Sequence, residues 1–156
     1  MAYGAESKYY EDFEIGERFT SANRTVTETD IVNFAGISGD FNPLHMDEEF
    51  AKTTIHGGKI AHGALLFAMS TGLFNQIGFS DGSTQIANLG LNGLDYKRPV
   101  KPGDTIHIEI EVTSKRVTHN VGRGIVEFDV GTLNQRGEVV MLARWKIMFK
   151  TRNFTS

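Results

Sequence analysis

Ala61-His62-Gly63-Ala64-Leu65-Leu66-Phe67-Ala68-Met69-Ser70-Thr71-Gly72-Leu73-Phe74-Asn75-Gln76-Ile77 is the longest helical stretch in the chain. Its apolar residues (Leu65, Leu66, Phe67, Met69, Leu73, Phe74, Ile77) crowd nearly the whole circumference, so the helix is expected to be buried on most sides. It is too short to span a bilayer, and His62, Gly63, Ser70 and Thr71 break its apolar run. Other parts of the chain must therefore cover it.

The cover lies downstream, where the periodicity changes near Ser80 from helical to alternating. Ile106, Ile108, Ile110 and Val112 fall on one face of an extended chain, with His107, Glu109, Glu111 and Thr113 on the other. Residues 125–133 and 139–149 have the same half-buried strand character, and Asn134-Gln135-Arg136-Gly137 between them reads as a hairpin turn. Pro99, Pro102 and Gly103 precede the strand that begins near Ile106. Residues 85–96 form a further strand whose glycines point to bulges or close backbone approach. The class is α+β: antiparallel strands able to wrap one long helix.

Upstream the spacing is helical. Thr27-Glu28-Thr29-Asp30 has the form of a capping box, followed by Ile31, Phe34, Ala35 and Ile37 on one face. Gly36 weakens that helix and Gly39 ends it. Residues 47–54 form a second short helix with acidic residues in its first turn.

Composition narrows the function. The 156 residues suit one domain, residues 1–156, with an ordinary content of 40% hydrophobic and 22% charged residues. A net charge of -3 and the lack of any basic face argue against nucleic-acid binding. The absence of cysteine excludes thiol nucleophiles and disulfides. Residues 1–13 carry acids and tyrosines where a signal peptide needs a basic end and an apolar core, so a cytoplasmic protein without membrane attachment is expected.

The chemistry concentrates in Gly39-Asp40-Phe41-Asn42-Pro43-Leu44-His45, read as a loop between two helices. A carboxylate and an imidazole close together can share a water, one taking its proton and the other giving or receiving another. On spacing alone a plainer reading leads: Asp40 and Asn42 making Asx-turns, Pro43 fixing the bend, His45 packing as an ordinary side chain. A metal site has little support. Asp40, His45, Asp47 and His56 match no compact zinc spacing, and no phosphate-cradling glycine motif is present.

Residues 34–45, Phe-Ala-Gly-Ile-Ser-Gly-Asp-Phe-Asn-Pro-Leu-His, followed by Ala51, resemble the signature of the MaoC-like dehydratases, or hydratase 2 family. Three further segments are similar to that family: Tyr9 to Gly16, Ile60-Ala61-His62-Gly63, and Tyr96 to Asp104. The resemblance covers most of the chain. It implies a hot-dog fold, an antiparallel sheet wrapped round a central helix, and reversible hydration of trans-2-enoyl-CoA to the (R)-3-hydroxyacyl-CoA. Asp40 and His45 match the family's catalytic pair. Gly63 matches a glycine whose backbone N–H binds the thioester carbonyl, and a helix-start N–H is physically suited to developing enolate charge. A glycine there would also let the thioester approach the backbone. Asn42 matches a supporting asparagine. Thr71 falls where some members carry serine, although a threonine bonding back to its own helix is equally expected.

His62 divides evenly between a site role and steadying the helix start, while His56, His107 and His119 read as ordinary surface or strand histidines. Lys97, Arg98 and Lys101 could meet coenzyme A phosphates but are more simply solvated charges. Coenzyme A would be part of the substrate, and no separate cofactor or metal is expected. The alternatives are a hot-dog thioesterase, which does not need the Asp40-to-His45 loop, and a non-catalytic acyl-thioester-binding subunit. A homodimer or dimer of dimers is expected from the resemblance, the sequence itself showing only sheet edges that need covering.

Overall fold

The computed structural model describes residues 7–79, 82–119 and 121–154. A 3₁₀ turn at Tyr10–Asp12 leads into two short strands, β1 (Arg18–Thr20) and β2 (Arg24–Thr25). Four helices follow: α1 (Glu28–Ser38), α2 (Pro43–Met46), α3 (Glu48–Lys52) and α4 (Gly63–Gln76). The chain then forms β3 (Gln85–Tyr96), β4 (Thr105–Val117), β5 (Arg123–Asn134) and β6 (Val139–Lys150).

All six strands join one antiparallel sheet in the order β1-β4-β5-β6-β3, with β2 also paired to β4. The alternation in β4 has the expected sense: Ile106, Ile108, Ile110 and Val112 are at most 2% exposed, because that face lies on α4. The turn between β5 and β6 is held by Asn134, whose side-chain oxygen accepts from the N–H groups of Arg136 and Glu138. In β3 the register shifts three times against β6, and Gly90 and Gly93 adopt positive φ at two of these irregularities. This is the hot-dog arrangement. The strands β1 and β2 span three and two residues, too few for any alternation to reveal them in the sequence.

The core is aromatic at its centre. Phe13, Phe74, Phe79, Phe128 and Phe149 meet in edge-on, tilted and stacked pairs, with centroids 4.7–6.3 Å apart. From α4, Leu65, Leu66, Met69, Leu73 and Phe74 are buried. Each such side chain contributes roughly 1.5–3 kcal/mol of hydrophobic stabilisation. The expectation that α4 is buried on most sides needs correcting: Ala64, Ala68 and Asn75 are exposed, and Phe67 and Thr71 are half-buried. One sheet covers one side of a helix, and the opposite side of α4 carries small residues.

No helix among the described residues is long and apolar enough to cross a membrane.

Candidate active site

The site is assembled where α1 ends and α4 begins. Thr27 and Asp30 form the expected capping box: the Asp30 N–H donates to Thr27 Oγ1 at 3.1 Å, and the Thr27 N–H donates to Asp30 Oδ2 at 2.8 Å. At the other end Gly39 takes the left-handed conformation, φ 76°, and its N–H donates to the Ala35 carbonyl at 2.8 Å. The helix therefore stops there, and Asp40 is the next residue out.

From Asp40 the chain is held by short local bonds. Asp40 Oδ1 accepts from the Asn42 N–H at 3.2 Å, an Asx-turn. Asn42 Oδ1 accepts from the Leu44 N–H at 2.9 Å, which makes Asn42 the N-cap of α2 with Pro43 at its first helical position. His45 therefore lies within a four-residue helix rather than on a loop. The sequence hid this because one helical turn is too short for a periodic signal. Asp47 caps α3 through the Phe50 N–H, which gives it a structural task.

The segment leading into α4 is fixed separately. Ile60 N–H donates to the Leu44 carbonyl at 3.3 Å, and Ala61 N–H to the Val100 carbonyl at 2.7 Å. Lys59 pairs with Glu28 on α1, and its N–H donates to Glu48 on α3. Two contacts then cross to the α1–α2 side. His45 Nδ1 lies 2.8 Å from the Ile60 carbonyl, and His62 Nε2 lies 2.9 Å from the Asp40 backbone carbonyl. A carbonyl only accepts, so each of these ring nitrogens carries the hydrogen. His45 Nε2 and Asp40 Oδ2 make no hydrogen bond among the described residues.

Asp40 is exposed, His45 half-buried and His62 2% exposed. The His45 and His62 rings lie 3.8 Å apart, tilted by 32°, with Phe34 5.1 Å from His62. One ligand-capable atom from each of Asp40, His45 and His62 falls within 4.8 Å of the others. The two histidine rings turn their faces to each other, and each has one nitrogen engaged at a carbonyl, leaving the other nitrogen for chemistry. A carboxylate and two imidazoles can pass protons and can also hold a metal ion.

Gly63 opens α4. Its N–H belongs to the first turn, which has no intrahelical acceptor, and the His62 side chain does not cap it. Glycine at this position also makes room for a side chain from the sheet. A Cβ on Gly63 would lie 2.6 Å from Tyr96 Cζ, so the space it vacates is filled by the Tyr96 ring from β3. Burial pushes the Tyr96 phenol above its ordinary pKa, and the group stays neutral near pH 7. Nothing in the local sequence around residue 63 signals Tyr96, because the contact is made only when the sheet closes on the helix. Thr71 donates to the Ala68 carbonyl at 2.7 Å, the back-bond to its own helix that was one of its two expected behaviours. The buried hydroxyl on α4 is the neighbouring Ser70, which bonds Leu66 and Thr132.

The remaining candidates are placed elsewhere. His107 is 3.7 Å from Glu109 on the outer side of β4, and His119 is exposed. His56 is half-buried, with its N–H bonded to Thr54 Oγ1. Lys97 and Arg98 lie beside Asp95 and Glu138, and Lys101 reaches the Gly57 carbonyl at 3.5 Å. A groove of about 730 Å³ runs over the outer side of the sheet, past Arg18, Glu109, Asp129 and Arg144, and none of Asp40, His45, His62 or Gly63 lines it.

A family model described as MaoC like domain matches residues 12–132, a span that contains the Asp40–His45 turn, Gly63 and Tyr96. The chain belongs to the MaoC-like dehydratase family. An (R)-specific enoyl-CoA hydratase of Aeromonas caviae is 36% identical over 68% of this MaoC-like chain and 75% of its own length. The MaoC-like dehydratase from Rhodospirillum rubrum superposes with a TM-score of 0.83 at 33% identity, covering 95% of this chain and all of that one. Protein MaoC of Klebsiella aerogenes is 41% identical over 72% of this chain, and the match spans about a third of that longer protein, 32%.

Proposed function

We propose that this MaoC-like chain catalyses the reversible hydration of trans-2-enoyl-CoA to (R)-3-hydroxyacyl-CoA, and that Asp40 and His45 act on the water between them. The observation that carries this reading is the pairing of an exposed carboxylate with an imidazole whose Nδ1–H is held by the Ile60 carbonyl, leaving Nε2 open. In the hydration direction one member of the pair takes a proton as the water oxygen bonds C3. The C2–C3 π electrons move onto the thioester carbonyl oxygen, and as the enolate collapses the proton taken from the water passes through the pair to C2, leaving Asp40 and His45 as they began. The sum is one water added. The Gly63 N–H, in the positive field of the α4 start, would hold the oxygen on which the charge collects.

Asn42 supports the pair through the turn that it caps, not by meeting the substrate. Coenzyme A enters as part of the substrate, and one domain carries the whole reaction. A homodimer suits the exposed face of α4 and the outer edge of β3, which adjoins no further strand among the described residues and which a second copy can cover.

The test mixes purified protein with crotonyl-CoA while enoyl-thioester absorbance and free thiol are followed together. Loss of absorbance without thiol release is expected. Release of thiol would instead identify a thioesterase. Asp40→Asn and His45→Gln are each expected to lower kcat by about 10²–10⁴-fold with the thermal midpoint little changed. Full hydratase activity in both variants would overturn the assignment.

A further inference from the structure

His62 is 98% buried, yet among the described residues its ring makes one hydrogen bond, from Nε2 to the Asp40 carbonyl, and its Nδ1 is shut away from solvent without a partner. A buried polar atom left unsatisfied calls for an explanation. The Asp40 carbonyl can only accept, so a hydrogen sits on Nε2 and the ring is oriented by that bond. One of its faces lies against His45 at 3.8 Å, and Phe34 packs 5.1 Å away. A leucine would fill such a space without an orphaned nitrogen, but it could not donate to Asp40.

We propose that His62 is a positioning residue that fixes both halves of the acid–base pair at once, Asp40 by its Nε2–H and His45 by its ring face. This rests on the hydratase reading for the kinetic half of its consequences only. Residues 60 to 62 then work as a clamp: the Ile60 carbonyl sets the His45 tautomer, and His62 sets the Asp40 main chain and the plane of the His45 ring. The next residue, Gly63, starts α4, so the proposed donor to the thioester is in register with the pair through one covalent bond. Asp40 and His45, the two residues that it positions, each bring a polar side-chain atom within 4.8 Å of one on His62.

Three variants divide the two contacts. His62→Gln keeps an amide donor near Nε2 and loses the aromatic face, His62→Phe keeps the face and loses the donor, and His62→Leu loses both. We expect kcat for crotonyl-CoA hydration to fall about tenfold in the Gln and Phe variants and on the order of 10²-fold in the Leu variant, the scale of a misplaced reacting group. KM should stay within about twofold, since His62 meets no substrate. Leu kcat near the wild-type value, or Gln and Phe as impaired as Leu, would overturn the proposal.

Ring-nitrogen NMR supplies a measurement independent of turnover and of any variant's folding. In the wild type the hydrogens that face the two carbonyls should be found on His62 Nε2 and His45 Nδ1. A His62 Nε2 or a His45 Nδ1 without its hydrogen would overturn the proposal. Wild-type protein that fails to hydrate crotonyl-CoA would count against the hydratase reading alone. The clamp would then be judged by whether the His45 Nδ1–H signal survives in His62→Phe and weakens in His62→Leu; an equal signal in both overturns it.

Discussion

In the sheet, Phe128 is fully buried, meets the rings of Phe13, Phe74, Phe79 and Phe149, and pairs across the ladder with Trp145. Its position is determined many times over. At the junction of α1 and α4 the contrast is sharp: the Asp40 carbonyl is held by one nitrogen of His62, and the His45 ring by one carbonyl and one stacked neighbour. The sheet draws its stability from redundant apolar contact, whereas the junction draws its geometry from a few directional contacts. Damage to the first should therefore appear in stability and damage to the second in rate.

The largest stability effect should follow Phe128→Ala. Emptying this aromatic site is expected to cost about 3–5 kcal/mol, the usual range for a buried phenylalanine. Urea unfolding would measure it, and activity per folded molecule should hold at low temperature. A cost well under 2 kcal/mol would mean that the sheet and α4 collapse into the gap, and that the redundancy ascribed to this region is overstated.

Gly63→Ala probes the seam between the two regions, because the added methyl meets the half-exposed Tyr96 ring, which can swing outward. Little stability should be lost, while kcat/KM should fall by roughly 10²-fold as the helix start shifts. A double-mutant cycle with Tyr96→Ala separates two accounts. If the methyl acts by pushing the ring, the double variant should be scarcely worse than Tyr96→Ala alone. Simple additivity would instead mean that the methyl blocks the thioester directly, and that packing against Tyr96 is incidental.

The same contrast governs what the sequence reveals. The alternation of Ile106, Ile108, Ile110 and Val112 reports a buried sheet face because burial there repeats every second residue. The capping box at Thr27 and the terminating Gly39 are legible because their chemistry is local. What the residues alone do not disclose is set by closure of the fold. His45 sits on a single turn of helix, Tyr96 reaches Gly63 from another element, and the carbonyls of Ile60 and Asp40 are main-chain atoms that no residue type announces. The Asp40-to-His45 stretch stands out through its likeness to a family signature, since its spacing taken alone fits an ordinary turn. The exposed face of α4 is hidden for another reason: Phe67 and Ile77, counted in its apolar circumference, are only half-buried.

The smallest effect tests the reach of local structure. Removing the Thr27 hydroxyl with Thr27→Ala takes away the acceptor for the Asp30 N–H and a donor to the Asp30 carboxylate, 3.1 and 2.7 Å respectively. Such a cap is worth about 1 kcal/mol. Burial alone would raise the Asp30 pKa, but the bonds from the Thr27 N–H and hydroxyl and the Arg24 guanidinium outweigh it and hold the carboxyl below its ordinary value. A group whose folded pKa is depressed adds stability above its unfolded pKa and loses it as pH falls through the folded one. The hydroxyl-to-carboxylate part of the cap therefore needs Asp30 ionised, while the part that accepts from the N–H does not. The gap in thermal midpoint between wild type and Thr27→Ala should be widest near neutral pH and narrow, without closing, below the ordinary carboxylate range. Because the cap lies at the opposite end of α1 from Gly39, turnover should not change at either pH where the protein stays folded. A fall in kcat matching the loss of stability would show that fraying at Thr27 travels the length of α1 to Asp40, and that the junction is less independent of its scaffold than its own contacts suggest.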